Sequence, residues 1–199
     1  RVIVGLFKAD WSGYSGSGFT YEDGAGLFTI NKGGTHHLDA RVSVTQVDDK
    51  TARFTYRFVP QVDVPAHKGL YAEFKLQAAD FAGAKVKLYE NLFSSSKNLP
   101  GDYTPDWEYS KGEVKNITVW DKSGNKRLYI DNLKADGSSA EWNVLLRDSR
   151  KSSETGSFSM RITFTSGAMT AGSVHEFSFE LETSSGCRAM PGKQDVVAV

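Results

Sequence analysis

The chain has 199 residues, and its 24 Lys and Arg are matched by 24 Asp and Glu, so its formal charge is zero. That length supports one large domain with a substantial core, and the charge balance removes the basic field that collects nucleic acid or an anionic membrane. No apolar run approaches the ~20 residues of a membrane helix, whereas 12% aromatic residues and 19 Gly suit strands and tight turns.

Residues 2–7 read as a first strand, and residues 9–18 as a Gly/Ser turn region carrying Trp11 and Tyr14. A hairpin is predicted across Asp23-Gly24-Ala25-Gly26. His36, Leu38, Ala40, Val42 and Val44 then share one parity. After Asp48-Asp49-Lys50, Phe54, Tyr56 and Phe58 alternate with Arg53, Thr55 and Arg57, which predicts a second hairpin. Pro60 and Pro65 interrupt the pattern. It resumes at Leu70, Ala72, Phe74 and Leu76, with Tyr71, Glu73, Lys75 and Gln77 opposite. Short strands are expected at Val86 and Leu88, at Ile117 and Val119, at Leu128 and Ile130, and at Trp142, Val144 and Leu146. Residues 94–110 are the longest stretch without a period. The strongest alternation closes the set: Phe158, Met160, Ile162 and Phe164, a reversal over 166–172, then Phe177, Phe179 and Leu181. Val174 has the wrong parity for this last face, and a bulge at His175-Glu176 is expected to restore it.

Short strands between turn signals, with no amphipathic helix, predict an all-β fold: an antiparallel, jelly-roll-like β-sandwich forming a single domain over residues 1–183. Phe54, Phe58, Phe74, Trp142, Phe158, Ile162, Phe164, Phe177 and Phe179 are its expected core. The period stops after Thr183, so residues 184–199 are expected to be a tail or linker that adds little to stability. Cys187 is the sole cysteine and is expected to be a free thiol. Because the chain opens on Arg1 rather than Met, it is expected to be a piece excised from a larger product.

Familiar catalytic strings are missing from the sequence: no H-E-x-x-H, G-x-S-x-G, P-loop or dinucleotide fingerprint occurs. Ser94-Ser95-Ser96-Lys97 matches S-x-x-K but sits in a Ser-rich segment with no helix to aim a nucleophile. His36 and His37 are strand neighbours that point to opposite faces, so they do not chelate together. Asn116-Ile117-Thr118 is a sequon in a strand context.

Residues 98–110 pack Tyr103, Trp107 and Tyr109 among Asp102, Asp106 and Glu108. Sugars present apolar C–H faces to flat aromatics and hydroxyls to carboxylates, so this loop is the first candidate site; the competing role for Trp107 is to plug the end of the sandwich. A second candidate is an outward sheet face with Tyr71, Arg57, Arg53 and Arg147, against the competing reading of ordinary cross-strand ion pairs. Trp11 and Tyr14 form a third group, with edge-strand packing as the competing role.

Alternation over residues 2–183, turn spacing, loop aromatics and the linker-like end together resemble the non-catalytic carbohydrate-binding β-sandwich modules of secreted polysaccharide-degrading enzymes. The resemblance implies binding of a polysaccharide or oligosaccharide, a catalytic domain in the same parent chain, and an extracellular or periplasmic location. It implies no nucleic-acid partner, no membrane span and no required cofactor. Many such modules hold a structural calcium, and Asp23, Asp131 and Asp136 are candidate ligands without a fixed set. Two alternatives stay open. One is a jelly-roll glycosidase or polysaccharide lyase with Glu73 and Glu180 as the carboxylate pair. The other is a structural or adhesive domain whose partner is another domain.

Overall fold

The computed structural model describes residues 2–7, 13–32, 35–124, 127–137, 139–151 and 156–184. Trp11, Cys187 and the rest of the expected tail after Ser184 lie outside them, as do the side chains of Tyr14 and His36. Among the described residues fourteen strands alternate with turns: β1 Val2–Phe7, β2 Gly13–Glu22, β3 Ala25–Lys32, β4 Thr35–Gln46, β5 Thr51–Pro60, β6 Gly69–Gln77, β7 Lys85–Tyr89, β8 Ser94–Asn98, β9 Glu108–Lys111, β10 Asn116–Trp120, β11 Arg127–Asp136, β12 Asn143–Asp148, β13 Ser157–Thr165 and β14 His175–Thr183. One short helix, α1 Ala78–Phe81, follows β6.

The strands run antiparallel in the order β8-β7-β10-β11-β14-β5-β4-β3-β2-β1-β6-β13-β12-β9. Among the described residues, only the pairs Leu6↔Tyr14 and Phe7↔Gly13 connect β2 to β1. That join separates a first layer, β1-β6-β13-β12-β9, from a second, β8-β7-β10-β11-β14-β5-β4-β3-β2. The layers pack face to face through the apolar parity of each strand. Phe74 of the first layer meets Phe54 and Phe179 of the second at 6.1 and 5.8 Å between ring centroids. Phe164 stacks on Phe177 at 4.9 Å, and Trp142 stands edge-on to both. The result is an antiparallel β-sandwich, as the alternation predicted.

Every expected core residue is buried except Phe54, which is half-buried against the cluster. Other expectations need correcting. The first hairpin turn is the two-residue Asp23-Gly24, with φ of 48° and 73°. Positive φ at both positions matches the right-handed twist of its strands. Tyr14 belongs to β2, not to a turn region. The bulge lies on β11, not at His175-Glu176: Asp131 pairs with Glu180 and Lys134 with Ser178. β14 pairs with β5 without a break from His175 to Glu182, and Val174 precedes the strand and is exposed. Two strands, β8 and β9, bracket what read as one irregular stretch, so the S-x-x-K string lies on a sheet edge.

Candidate functional site

The register of the first layer builds its outer face row by row. Glu108 of β9 stands beside Arg147 of β12, which stands beside Ser159 of β13. One row on, Leu145 stands beside Arg161, which stands beside Glu73 of β6. These residues alternate with the core set of the same strands, so they face away from the second layer.

The segment between β8 and β9 closes one end of this face, and Asp148 and Arg150 hold it there. Asp148 has no exposed side-chain surface. Its Oδ2 accepts from Thr104 N at 2.9 Å and from Arg150 Nη2 at 2.6 Å, and its Oδ1 accepts from Arg150 Nε at 2.9 Å. Arg150 donates onward to the carbonyls of Gly101 and Asp102. The chain then turns at Thr104-Pro105-Asp106-Trp107, where Trp107 N donates to Thr104 O at 3.3 Å. Pro105 supplies the fixed φ of the first corner. Asp106 takes the left-handed second corner, with φ of 60°.

Loop and sheet together enclose an open groove of about 450 Å³. Tyr103, Asp106, Trp107 and Glu108 line it from the loop side; Glu73, Arg147, Asp148, Ser149, Ser159 and Arg161 line it from the sheet side. Its charges are mostly paired. Arg147 Nε and Nη2 donate to Glu108 Oε1 at 3.1 and 2.9 Å. Arg161 Nη2 donates to Glu73 Oε2 at 3.0 Å, and Lys75 donates to the other Glu73 oxygen. Burial alone would push the Glu73 carboxyl up, but the hydrogen bond and charge of Lys75 and the charge of Arg161 outweigh it and hold the group below the usual carboxylate range. Asp148 behaves the same way: burial raises it, and the bonds from Arg150 and Thr104 bring it down.

The two candidate regions of the sequence therefore meet in one place, though not residue for residue. Tyr103, Asp106, Trp107, Glu108 and Arg147 line the groove. Asp102 contributes its carbonyl to Arg150 and Thr104 and is not among the lining residues. Tyr109 is not a rim aromatic: it is buried, and its hydroxyl shares a 2.8 Å hydrogen bond with Ser95 Oγ. Tyr71 is buried as well, under the Arg161 guanidinium at 4.4 Å. Arg53 and Arg57 lie on β5 in the second layer, and Arg53 is tied to Glu180. Trp107 is half-buried against the core, and Lys97 Nζ sits 4.9 Å from its ring. Lys151 covers Tyr103 at 4.7 Å. Both proposed stacking platforms thus carry a cation already.

Glu73 and Glu180 cannot act as one carboxylate pair. Glu73 alternates with Phe74 and Glu180 with Phe179, and those two rings touch in the core, so the carboxylates lie on opposite outer faces. Facing sheets are ~10 Å apart before their outward side chains are added, which places the two outside the span such chemistry uses. The calcium candidates are dispersed too: Asp23 sits in the β2–β3 turn, and Asp131 and Asp136 lie on β11, with β14, β5 and β4 between. Among the described residues no group of three His, Cys, Asp or Glu is placed to hold a metal ion, and no helix is long and apolar enough to cross a membrane.

Sequence reasoning missed Arg161, Asp148, Ser149 and Ser159. Arg161 and Ser159 were legible as outward positions of their strand; what joins them to the loop is the order β6-β13-β12-β9, which parity does not encode.

No protein-family model matches the sequence, and no characterised protein matches it. Among solved structures, the chain is similar to a putative aldose 1-epimerase from Escherichia coli K12, with a TM-score of 0.48, 9% identity, and coverage of 87% of this chain and 69% of that one. It is similar also to the protein HI1317, with a TM-score of 0.39, 12% identity and coverage of 87% and 66%. A third is the CBM3a-L domain of the scaffoldin CipA from the cellulosome of Clostridium thermocellum, with a TM-score of 0.25, 7% identity and coverage of 75% and 69%. These are distant likenesses of β architecture.

Proposed function

We propose that the protein binds a glycan without catalysis, in the groove between the 98–107 segment and the outer face of the first layer. The observation that carries this reading is the convergence of Tyr103 and Trp107 with Asp106, Glu108, Arg147, Arg161 and Ser159 around one open cleft. Such a lining offers ring edges to sugar C–H faces, with carboxylates, guanidiniums and a hydroxyl for sugar hydroxyls. Recognition is chiefly polar, because Lys97 and Lys151 must move aside before a pyranose stacks on either ring. Glu73 and Asp148 are each held below the usual carboxylate range by their cationic partners, which makes neither of them a proton donor of the kind glycoside cleavage needs. The parent-chain catalytic domain and the secreted location belong to the same proposal.

A glycan array followed by calorimetry tests it. The best glycan should bind with modest affinity, and Trp107→Ala should weaken it by about tenfold with the fold intact, a loss near 1.4 kcal/mol. Equal affinity of wild type and variant would move the site elsewhere, and reducing ends accumulating from a polysaccharide would replace binding with turnover.

A further inference from the structure

We propose that the outer face of the second layer carries a separate binding site for a singly charged sugar acid, centred on Arg41 and Arg57. The two arginines are direct cross-strand partners on β4 and β5. Residues so placed hold their Cβ atoms ~5 Å apart, and like charges there repel. Of the six arginines whose side chains are described, four are neutralised: Arg53 by Glu180, Arg147 by Glu108, Arg150 by Asp148 and Arg161 by Glu73. Arg41 and Arg57 have no ion pair among the described residues, although Glu176 of β14 stands next to Arg57 in the ladder. An oxyanion bridging the two guanidiniums would relieve that repulsion, since guanidiniums present parallel N–H donors to it.

The surroundings define the rest of the ligand. A second groove, of about 390 Å³, opens over the pair. Leu27 and Val59 give it an apolar wall, Thr20 and Thr29 hydroxyls, and Asp39 a carboxylate; Asn31 Nδ2 already donates to Thr29 Oγ1 at 3.2 Å and Gln61 Nε2 to Asp39 Oδ2 at 2.7 Å, so a ligand uses the remaining lone pairs. An aliphatic wall suits the C–H face of a sugar ring, and a carboxylate accepts from sugar hydroxyls. The same Asp39 charge opposes a doubly charged phosphate, so the fit is to a ring bearing one carboxylate. This groove shares no residue with the one in the first layer, so the two readings stand or fall on different variants.

Calorimetry at low salt with the monosaccharide methyl galacturonoside, which carries one carboxylate, tests the assignment, with its methyl ester, inorganic phosphate as competitor, and the double variant Arg41→Gln/Arg57→Gln. The wild type should bind the monosaccharide acid; esterification, and separately the double substitution, should each weaken binding by about tenfold or more. The exposed-turn variant Lys50→Gln should bind as the wild type does, and equimolar phosphate should not displace the sugar. Melting curves of the double variant verify its fold; should it fail to fold, the comparison of acid and ester on the wild type decides. Absence of binding by the folded wild type, equal affinity for acid and ester, equal affinity in the double variant, or displacement by phosphate would each overturn the proposal.

Discussion

Tyr56 is fully buried between Phe164 and Phe179, with its hydroxyl lacking a hydrogen-bond partner among the described residues. A buried polar group left unpaired costs about 1–3 kcal/mol, so Tyr56→Phe should raise the thermal midpoint or leave it unchanged. A drop of several degrees in the melting curve would show that the hydroxyl is satisfied. His67 is the second such residue. Its Nδ1 accepts from Gly69 N at 3.1 Å, and its Nε2 is buried without a partner among the described residues. Burial pushes the imidazole down to about 4, against the pull of the Glu141 carboxylate. Below about pH 6.5 the unfolded chain takes up a proton that the folded ring refuses. Stability therefore falls as pH drops from about 6.5 towards 4. Burial lowers His175 too, which adds to the loss in the same direction. Urea midpoints at pH 7.5 and 4.5 should differ less in His67→Asn, which keeps an acceptor for Gly69, than in the wild type. Identical differences would remove His67 from the account.

At the scale of the element, the 98–107 segment is held at its two ends by the core and between them by one ion pair. Leu99 is buried and its N donates to Ala84 O at 2.8 Å, Trp107 packs half-buried against the core, and between them the Asp148–Arg150 pair reaches the Gly101 and Asp102 carbonyls and Thr104 N. Arg150→Met should leave the Asp148 carboxylate without its main partner, at a cost of about 3 kcal/mol. It should also raise hydrogen exchange in this segment more than in β13. Uniform exchange changes across both would place the anchor elsewhere. This explains how much could be read in advance. β5, β6, β13 and β14 were legible because each buries one continuous face. β8 was not, because an edge strand of Ser, Lys and Asn with no buried position carries no hydrophobic alternation. The β11 bulge is defined by the partner register, Asp131 to Glu180 and then Lys134 to Ser178; its one local mark is Asn132, which takes a left-handed φ of 51° there and would not by itself distinguish a bulge from a turn. The loop of Tyr103, Asp106, Trp107 and Glu108 stood out by composition, while Tyr109 misled because parity within β9 turns it inward.

Across the whole molecule, zero formal charge conceals two differently charged outer faces. On the first layer acids and guanidiniums pair around the groove; on the second Arg41 and Arg57 stand together unpaired among the described residues, while Asp131, Glu180 and Glu182 crowd β11 and β14. Burial and then the charges of Glu180 and Glu182 push the Asp131 carboxyl up, the opposite of Glu73. The sandwich keeps these faces apart, so a ligand of the first layer should perturb one face alone. The direct measurement is an amide and side-chain nuclear magnetic resonance titration with the strongest glycan from the array. Shifts confined to Tyr103, Asp106, the Trp107 indole, Arg147, Ser159 and Arg161 are the predicted result. Shifts absent from that groove, or cleavage of the glycan during the titration, would contradict the account.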